Sequence, residues 1–168
     1  METFEKYPAL LVVFICNHCP YVVHIRDSFV SFVSEYHEKG LGVVAIISND
    51  VESYPDDSPE QITEDAVKYS YSFPYLFDES QKIARAYRAA CTPDFFLYDR
   101  KRTLVYKGQY DSRRPKNSET ETGEELRNAT NALIHNSKIS TEQKPSMGCN
   151  NNWKSDVQVP CSFQYSAI

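Results

Sequence analysis

A buried strand that leads directly into a helix constrains this chain more than any other part of its sequence. Residues 10–15 (L-L-V-V-F-I) form a short, continuous apolar run, which is typical of a strand buried on both faces. Over residues 21–38, apolar side chains recur every three or four positions, which predicts a helix with one buried face. Residues 41–48 (L-G-V-V-A-I-I-S) predict a second buried strand. This order predicts a parallel pair of strands joined by a right-handed crossover.

The later elements complete the fold class. Residues 94–99 (D-F-F-L-Y-D) and 103–107 (T-L-V-Y-K), joined by R-K-R, predict an antiparallel hairpin. Capping signals predict three further helix starts, at Ser58 with Gln61, at Asp78 with Gln81, and at Thr122 with Glu125. The order β-α-β-α-(α)-β-β-α predicts an α/β protein with a central mixed sheet flanked by helices, which is the layout of the thioredoxin fold.

Size and charge exclude several classes of partner. The chain has 168 residues and a formal net charge of −5, which argues against nucleic acid. No apolar run is long enough to span a bilayer, so we expect no membrane partner. The first residues, M-E-T-F-E-K-Y-P, lack the layout of a signal peptide, which predicts a cytoplasmic location. We expect one domain over residues 1–154 and a C-terminal tail without predicted order over residues 155–168.

The segment C-N-H-C-P joins the first strand to the first helix and carries the chemistry. A helix N-terminus stabilises a thiolate, so a cysteine there becomes nucleophilic at neutral pH. Cys16 and Cys19 stand three residues apart, which suits a disulfide, with one thiol attacking and the other resolving. Cys19 is the helix cap if Pro20 is the first helical residue, and Cys16 is the better activated if the helix begins one turn earlier. His18, if protonated, would tune the pKa of the pair.

Zinc is the alternative interpretation of the same motif. Cys16 and Cys19 with His18 or His24 offer the ligand types that structural zinc prefers. A second closely spaced cysteine pair, which such sites often use, is missing from the sequence. We therefore expect no metal and no cofactor.

Other candidate residues have weaker signals. Cys91 is interpreted as a small core residue, Cys149 as a thiol of the polar C-terminal stretch that could reach back to the pair, and Cys161 has no motif around it. The acidic residues after the second strand have a spacing that matches no metal-binding loop, so we interpret them as a solvated loop. They are Asp50, Glu52, Asp56 and Asp57.

Several stretches together resemble a known family. They are V-V-F-I-C-N-H-C-P-Y-V at 12–22, S-N-D-V-E-S-Y-P-D-D-S-P at 48–59, F-P-Y-L-F-D-E-S-Q at 73–81, A-C-T-P-D-F-F-L-Y-D at 90–99 and P-S-M-G-C-N at 145–150. The chain resembles the thioredoxin-like proteins of the peroxiredoxin-related group, which is labelled alkyl hydroperoxide reductase/thiol-specific antioxidant-like. The resemblance spans residues 9 to about 154 and implies a thioredoxin fold.

The resemblance also implies roles for individual residues. Cys16 corresponds to the attacking thiol of thioredoxin and Cys19 to its resolving thiol. Thr92-Pro93 corresponds to the cis-proline element, where an extended substrate segment binds as an added strand. The expected partner is a protein or a small thiol that carries a disulfide or thiol group.

Departures from the family pattern bear on the activity. Cys19 also corresponds to the peroxidatic cysteine of true peroxiredoxins, but Val12 and Cys16 stand where their motif has Pro and Thr. The first strand contains no acid, so the sequence identifies no proton acceptor. The group usually carries some tens of residues before this strand, so we interpret the fold as N-terminally shortened.

The favoured function is therefore a thiol–disulfide oxidoreductase. The alternatives are a peroxiredoxin-like peroxidase that reduces hydroperoxides through Cys19, and a non-catalytic binding module with a thioredoxin fold.

Overall fold

The computed structural model describes residues 4–115 and 120–155, and its centre is a five-stranded mixed sheet of order β3-β2-β1-β5-β6. The strands of this sheet are β1 (Ala9–Phe14), β2 (Leu41–Ile47), β3 (Tyr75–Phe77), β5 (Asp94–Tyr98) and β6 (Leu104–Gly108). Two short strands, β4 (Cys91–Thr92) and β7 (Cys149–Asn150), pair separately. The helices are α1 (Pro20–His37), α2 (Pro59–Lys68), α3 (Lys82–Tyr87) and α4 (Glu124–Ile134), and a 3-10 turn covers Pro55–Asp57.

Strand directions confirm the predicted α/β thioredoxin fold. β1 is parallel to β2 and β2 is parallel to β3, whereas β5 is antiparallel to both β1 and β6. The connection from β1 to β2 is α1, which begins at Pro20 and ends at His37. Gly40 follows with a φ of +92°, a conformation that other residues rarely adopt, and it turns the chain into β2.

The central strands are buried on both faces, as their continuous apolar runs predict. Successive side chains of a strand point to opposite faces, so each strand feeds two apolar clusters. Leu11 and Val13 of β1 join the larger cluster, in which α1 and α4 pack, and Val12 and Phe14 join the smaller one, which includes Ala84 of α3. The sheet thus fixes the carboxyl end of β1, where the C-N-H-C-P segment begins.

The helices predicted from the three capping signals are all present, but two of them begin later than predicted. Ser58 caps α2, and its hydroxyl accepts a hydrogen bond from the Gln61 amide. α3 begins at Lys82 rather than directly after Asp78, and the Asp78 carboxylate still caps it by accepting hydrogen bonds from the Ile83 and Ala84 amides.

At the third start, a carboxylate from another segment binds the chain just before the helix. α4 begins at Glu124, with Gly123 as its cap in the left-handed conformation. The amides of Thr122 and Gly123 both donate to the Asp111 carboxylate, so Thr122 does not cap the helix.

The C-terminal stretch is irregular, as expected, but it is packed against the domain. The Gln143 side chain accepts a hydrogen bond from the Lys107 amide and donates one to the Val105 carbonyl, on the outer side of β6. The Gln109 amide donates to the Lys144 carbonyl in the same way. β3, β4 and β7 are strands that the sequence did not predict. The proposed tail lies outside the described residues, apart from Ser155.

None of the helices in residues 4–115 and 120–155 is long and apolar enough to cross a membrane. The cytoplasmic location stays a prediction.

The packing of α1 against the sheet sets the stability of the fold. Phe32 is fully buried in the larger cluster, where its ring is tilted against the Tyr36 ring and meets the Tyr110 ring edge to face. Replacing Phe32 with Ala leaves a cavity and is expected to lower the free energy of unfolding by about 3–5 kcal/mol in urea titrations. Val67→Ala is the control, since that side chain is 77% exposed. Equal losses in both variants would contradict this assignment of the core.

Candidate functional site

The two cysteines of the motif lie between the end of β1 and the start of α1. Pro20 is the first helical residue, so Cys19 is the N-cap of α1, with φ −65° and ψ 122°. Its carbonyl accepts hydrogen bonds from the Val22 and Val23 amides, both at 2.9 Å. The question left open by the sequence is thus answered in favour of Cys19 as the residue at the positive end of the helix dipole.

A cis peptide bond faces both thiols. The Thr92–Pro93 bond is cis, as the sequence predicts. The Cys16 sulfur and the Thr92 hydroxyl are 3.4 Å apart, within hydrogen-bonding distance. In its thiol form, Cys19 donates to the Thr92 carbonyl oxygen at 3.2 Å. Although they are 76 residues apart in sequence, Cys16 and Thr92 form one buried site.

The surroundings of the two thiols favour a thiolate on Cys19. The pKa of Cys19 is lowered to about 5, chiefly because Cys16 donates a hydrogen bond to it, with further donation from Cys149 and Thr92. The Val22 amide also lowers this pKa. The same amide donates a hydrogen bond to the Cys19 carbonyl. The pKa of Cys16 is raised well above its ordinary value, since Cys16 keeps the shared proton and is buried.

A buried carboxylate beside the motif is the main residue that the sequence analysis missed. Asp57 was interpreted as part of a solvated loop, but it is fully buried at the end of the 3-10 turn. Its carboxylate accepts hydrogen bonds from the Asn17 amide at 2.9 Å and the Asn49 side chain at 2.7 Å. The only signal in the sequence is that Pro55 and Pro59 stiffen the backbone on either side of it.

The Asp57 carboxylate holds His18 next to the thiols. The Nδ1 atom of His18 lies 3.0 Å from the Asp57 carboxylate, and the imidazole stacks on the Tyr54 ring at 5.5 Å. The negative charge of Asp57 also raises the pKa of Cys16, which disfavours a second anion at this position. Thr92, His18 and both cysteines therefore converge at one place.

One group of side chains within the described ranges could hold a metal ion. Cys16, His18 and Asp57 each offer a ligand atom, and these atoms lie within 4.8 Å of one another. However, the carboxylate oxygens of Asp57 already accept hydrogen bonds from the protein, so the arrangement is satisfied without a metal. His24, considered as a zinc ligand from the sequence, lies 2.9 Å from the Glu121 carboxylate instead and is not a member of this group.

The remaining cysteines differ in their relation to the site. Cys149 lies with its sulfur 2.9 Å from the sulfur of Cys19. Cys91 is buried, its thiol faces the Pro93 carbonyl at 3.8 Å, and burial raises its pKa, which fits a core residue. Cys161 lies outside the described residues.

The chain is similar to several known structures. A hypothetical protein from Sinorhizobium meliloti is 49% identical, over 92% of this chain and 84% of that chain, with a TM-score of 0.90. An uncharacterized conserved protein from Geobacillus kaustophilus is 46% identical, over 94% and 83% of the two chains, also with a TM-score of 0.90. A secreted disulfide oxidoreductase from Mycobacterium tuberculosis is 17% identical over 75% and 82%, with a TM-score of 0.55, a likeness of fold alone.

A comparison with curated proteins gives no match. The model of the AhpC/TSA family matches residues 1–107, which include the C-N-H-C-P segment, the buried Asp57 and the cis Thr92–Pro93 bond. More than half of the chain is matched, and the fold agrees with the family resemblance of its sequence. The chain belongs to the AhpC/TSA family.

Proposed function

We propose that this protein is a thiol–disulfide oxidoreductase whose Cys16–Cys19 pair forms a reversible disulfide. The observation that carries the proposal is the position of the two thiols, since Cys19 caps α1 and both sulfurs contact Thr92. The lowering of the Cys19 pKa to about 5 supports it. A preformed thiolate with a second thiol in contact is what disulfide exchange requires. Membership of the AhpC/TSA family and the thioredoxin fold support a thiol-based redox role.

The exchange has two steps. A thiolate of the pair attacks a substrate disulfide, which forms a mixed disulfide and releases one substrate thiolate. The second cysteine then attacks the protein sulfur of that mixed disulfide, so the Cys16–Cys19 bond forms and the substrate leaves fully reduced. The sequence assigned the attack to Cys16, and this stays a prediction. The pKa of Cys19 is lowered and the pKa of Cys16 is raised, so we propose that Cys19 is the thiolate in the reduced protein.

Asp57 and His18 provide a path for the proton of the Cys16 thiol. Cys16 must lose its proton before it can attack, and its burial and the Cys19 thiolate oppose that loss. The His18 imidazole, held by Asp57 at 3.0 Å, has a ring nitrogen within 4.8 Å of the Cys16 sulfur and is a candidate base. We propose that His18 accepts this proton and that Asp57 orients and stabilises the resulting imidazolium. Thr92 and Pro93 frame the sulfurs on the substrate side.

Redox titration tests the pair directly. In thiol/disulfide buffers, the wild-type protein is expected to form a Cys16–Cys19 disulfide reversibly, as mapped by alkylation and peptide mass spectrometry. Cys16→Ser and Cys19→Ser should each abolish this disulfide and the associated exchange activity, because either sulfur is one half of the bond.

Cys91→Ala is the matched control, since Cys91 is buried nearby and belongs to neither half of the pair. This variant should retain the Cys16–Cys19 disulfide. If Cys16→Ser abolished exchange but kept consumption of hydroperoxide, the function would be that of a peroxidase acting through Cys19. The absence of the disulfide from the wild type at every buffer potential would contradict the proposal.

The ionisation of Cys19 gives a second test. Because the Cys19 pKa is lowered to about 5, its thiolate is present above that pH and lost below it. The ultraviolet thiolate absorbance of the reduced protein should therefore fall as the pH is lowered through about 5. Cys19→Ser should remove this step. Cys16→Ala should move it to higher pH, because the Cys16 donor is lost. A step that disappears in Cys16→Ala and survives in Cys19→Ser would reverse the assignment.

His18 is expected to tune the redox potential. A protonated imidazole stabilises the reduced thiolate form, so His18→Gln should shift the midpoint potential to more negative values, by about 10–30 mV. His135→Gln, at an exposed histidine after α4, is the control. Equal midpoints for wild type and His18→Gln would exclude this role.

A further inference from the structure

A short strand of this chain lies where the family resemblance puts an extended substrate. β7 pairs antiparallel with β4, and Cys149 stands opposite Thr92. A Cβ atom at Gly148 would come within 1.9 Å of the Thr92 carbonyl oxygen, so the approach of this strand to the cis bond requires glycine. The strand-pairing edge before Pro93 is thus occupied by the protein itself.

This pairing brings a third sulfur to the redox pair. The Cys149 and Cys19 sulfurs are 2.9 Å apart, within about 1 Å of the ~2.05 Å length of a disulfide bond. Cys16 on the same loop and Cys149 on β7 both lower the pKa of Cys19. Formation of a Cys19–Cys149 bond requires only a small movement.

The segment that carries Cys149 is held on both sides. Upstream, the Ser146 hydroxyl donates to the Asp94 carboxylate at 2.7 Å, and both groups are buried. Downstream, the Asn151 side chain donates to the Ala89 carbonyl at 2.7 Å. These contacts fix the backbone around Cys149, so its sulfur has a defined position in the site.

The three thiols differ in their access to solvent. Cys16 is 1% exposed and Cys19 is 0% exposed, so an external disulfide or thiol cannot reach either sulfur without a movement of the surrounding chain. Cys149 is only partly buried. Of the three sulfurs, it is the one that solvent-borne thiols can reach first.

We propose that Cys149 is a third redox thiol, which relays the disulfide from the buried Cys16–Cys19 pair to external thiols. This inference rests on the proposed function, since it requires a Cys16–Cys19 disulfide to relay. The strand β7, which pairs with β4 before Pro93, thus carries an internal substrate, the Cys149 thiol.

The relay needs no oxidant besides the Cys16–Cys19 disulfide. The Cys149 thiolate attacks the Cys19 sulfur, the Cys19–Cys149 bond forms, and the Cys16–Cys19 bond breaks. Cys16 leaves as a thiolate and takes up one proton, which replaces the proton that Cys149 lost. An external thiolate then attacks Cys149, forms a mixed disulfide and releases Cys19 as the thiolate. A second external thiol resolves that mixed disulfide, so two external thiols are oxidised and the protein gains two electrons.

Two variants of the full chain test the relay. Cys16→Ser removes the competing partner, so oxidation by glutathione disulfide should accumulate a Cys19–Cys149 disulfide, as mapped by acid quenching, alkylation and peptide mass spectrometry. Cys149→Ser should still form the Cys16–Cys19 disulfide. Reduction of that disulfide by reduced glutathione should slow about tenfold or more, because the intramolecular step is lost. Circular dichroism and thermal melting check folding, and Cys149→Ala repeats the measurement with an apolar side chain.

The outcomes separate the two proposals. Absence of a Cys19–Cys149 disulfide in folded Cys16→Ser overturns the relay and leaves the proposed function intact. If the Cys16–Cys19 disulfide of Cys149→Ser is reduced at the wild-type rate or faster, the relay is also overturned, and β7 then blocks access to the pair. Failure of the wild-type protein to form the Cys16–Cys19 disulfide overturns the proposed function and the relay together. Cys91→Ala, as the control, should keep both disulfides and the wild-type rate.

Discussion

The contact between the N-terminus of α1 and the cis Thr92–Pro93 bond is the constraint on which the rest of the site depends. Parallel pairing of β1 with β2 positions the start of α1, and antiparallel pairing of β1 with β5 brings the segment before β5 to the same edge. The two pairings meet at Cys19, which caps the helix and contacts the Thr92 carbonyl. The sheet therefore assembles a site from segments that are distant in sequence.

Burial and charge together limit this site to one negative sulfur at a time. Removing a thiolate from water is costly unless hydrogen-bond donors replace the lost hydration. Cys19 has such donors in Cys16, Cys149 and Thr92, whereas Cys16 faces the Asp57 carboxylate. Under the proposed function, the proton held by Cys16 therefore leaves Cys19 as the nucleophilic sulfur.

The sequence predicts the fold and the centre of the site better than it predicts their surroundings. Buried strands have continuous apolar runs, so β1 and β2 are visible in the sequence, and Pro93 before β5 signals the cis bond. Asp57 is different, because an acid in an acidic loop looks solvated until the fold closes over it.

The strand that carries Cys149 could not be predicted for a related reason. β7 has only two residues and is polar, so neither length nor periodicity marks it as a strand. Its position depends on tertiary contacts made by Ser146 and Asn151, which local patterns do not encode. The exact start of α4 was not predicted for the same reason, since the distant Asp111 carboxylate binds the Thr122 and Gly123 amides just before the helix.

The Gln143 side chain on the outer side of β6 has a consequence for self-association. An unpaired strand edge is a template on which a second copy of a protein can extend its sheet. Gln143 and Lys144 form hydrogen bonds with outward-facing backbone groups of Val105, Lys107 and Gln109. The β6 edge is therefore closed to such pairing. Among the described strands of the sheet, this leaves the three-residue β3 at the opposite edge. Within the described residues, edge-to-edge extension of the five-stranded sheet is therefore confined to β3.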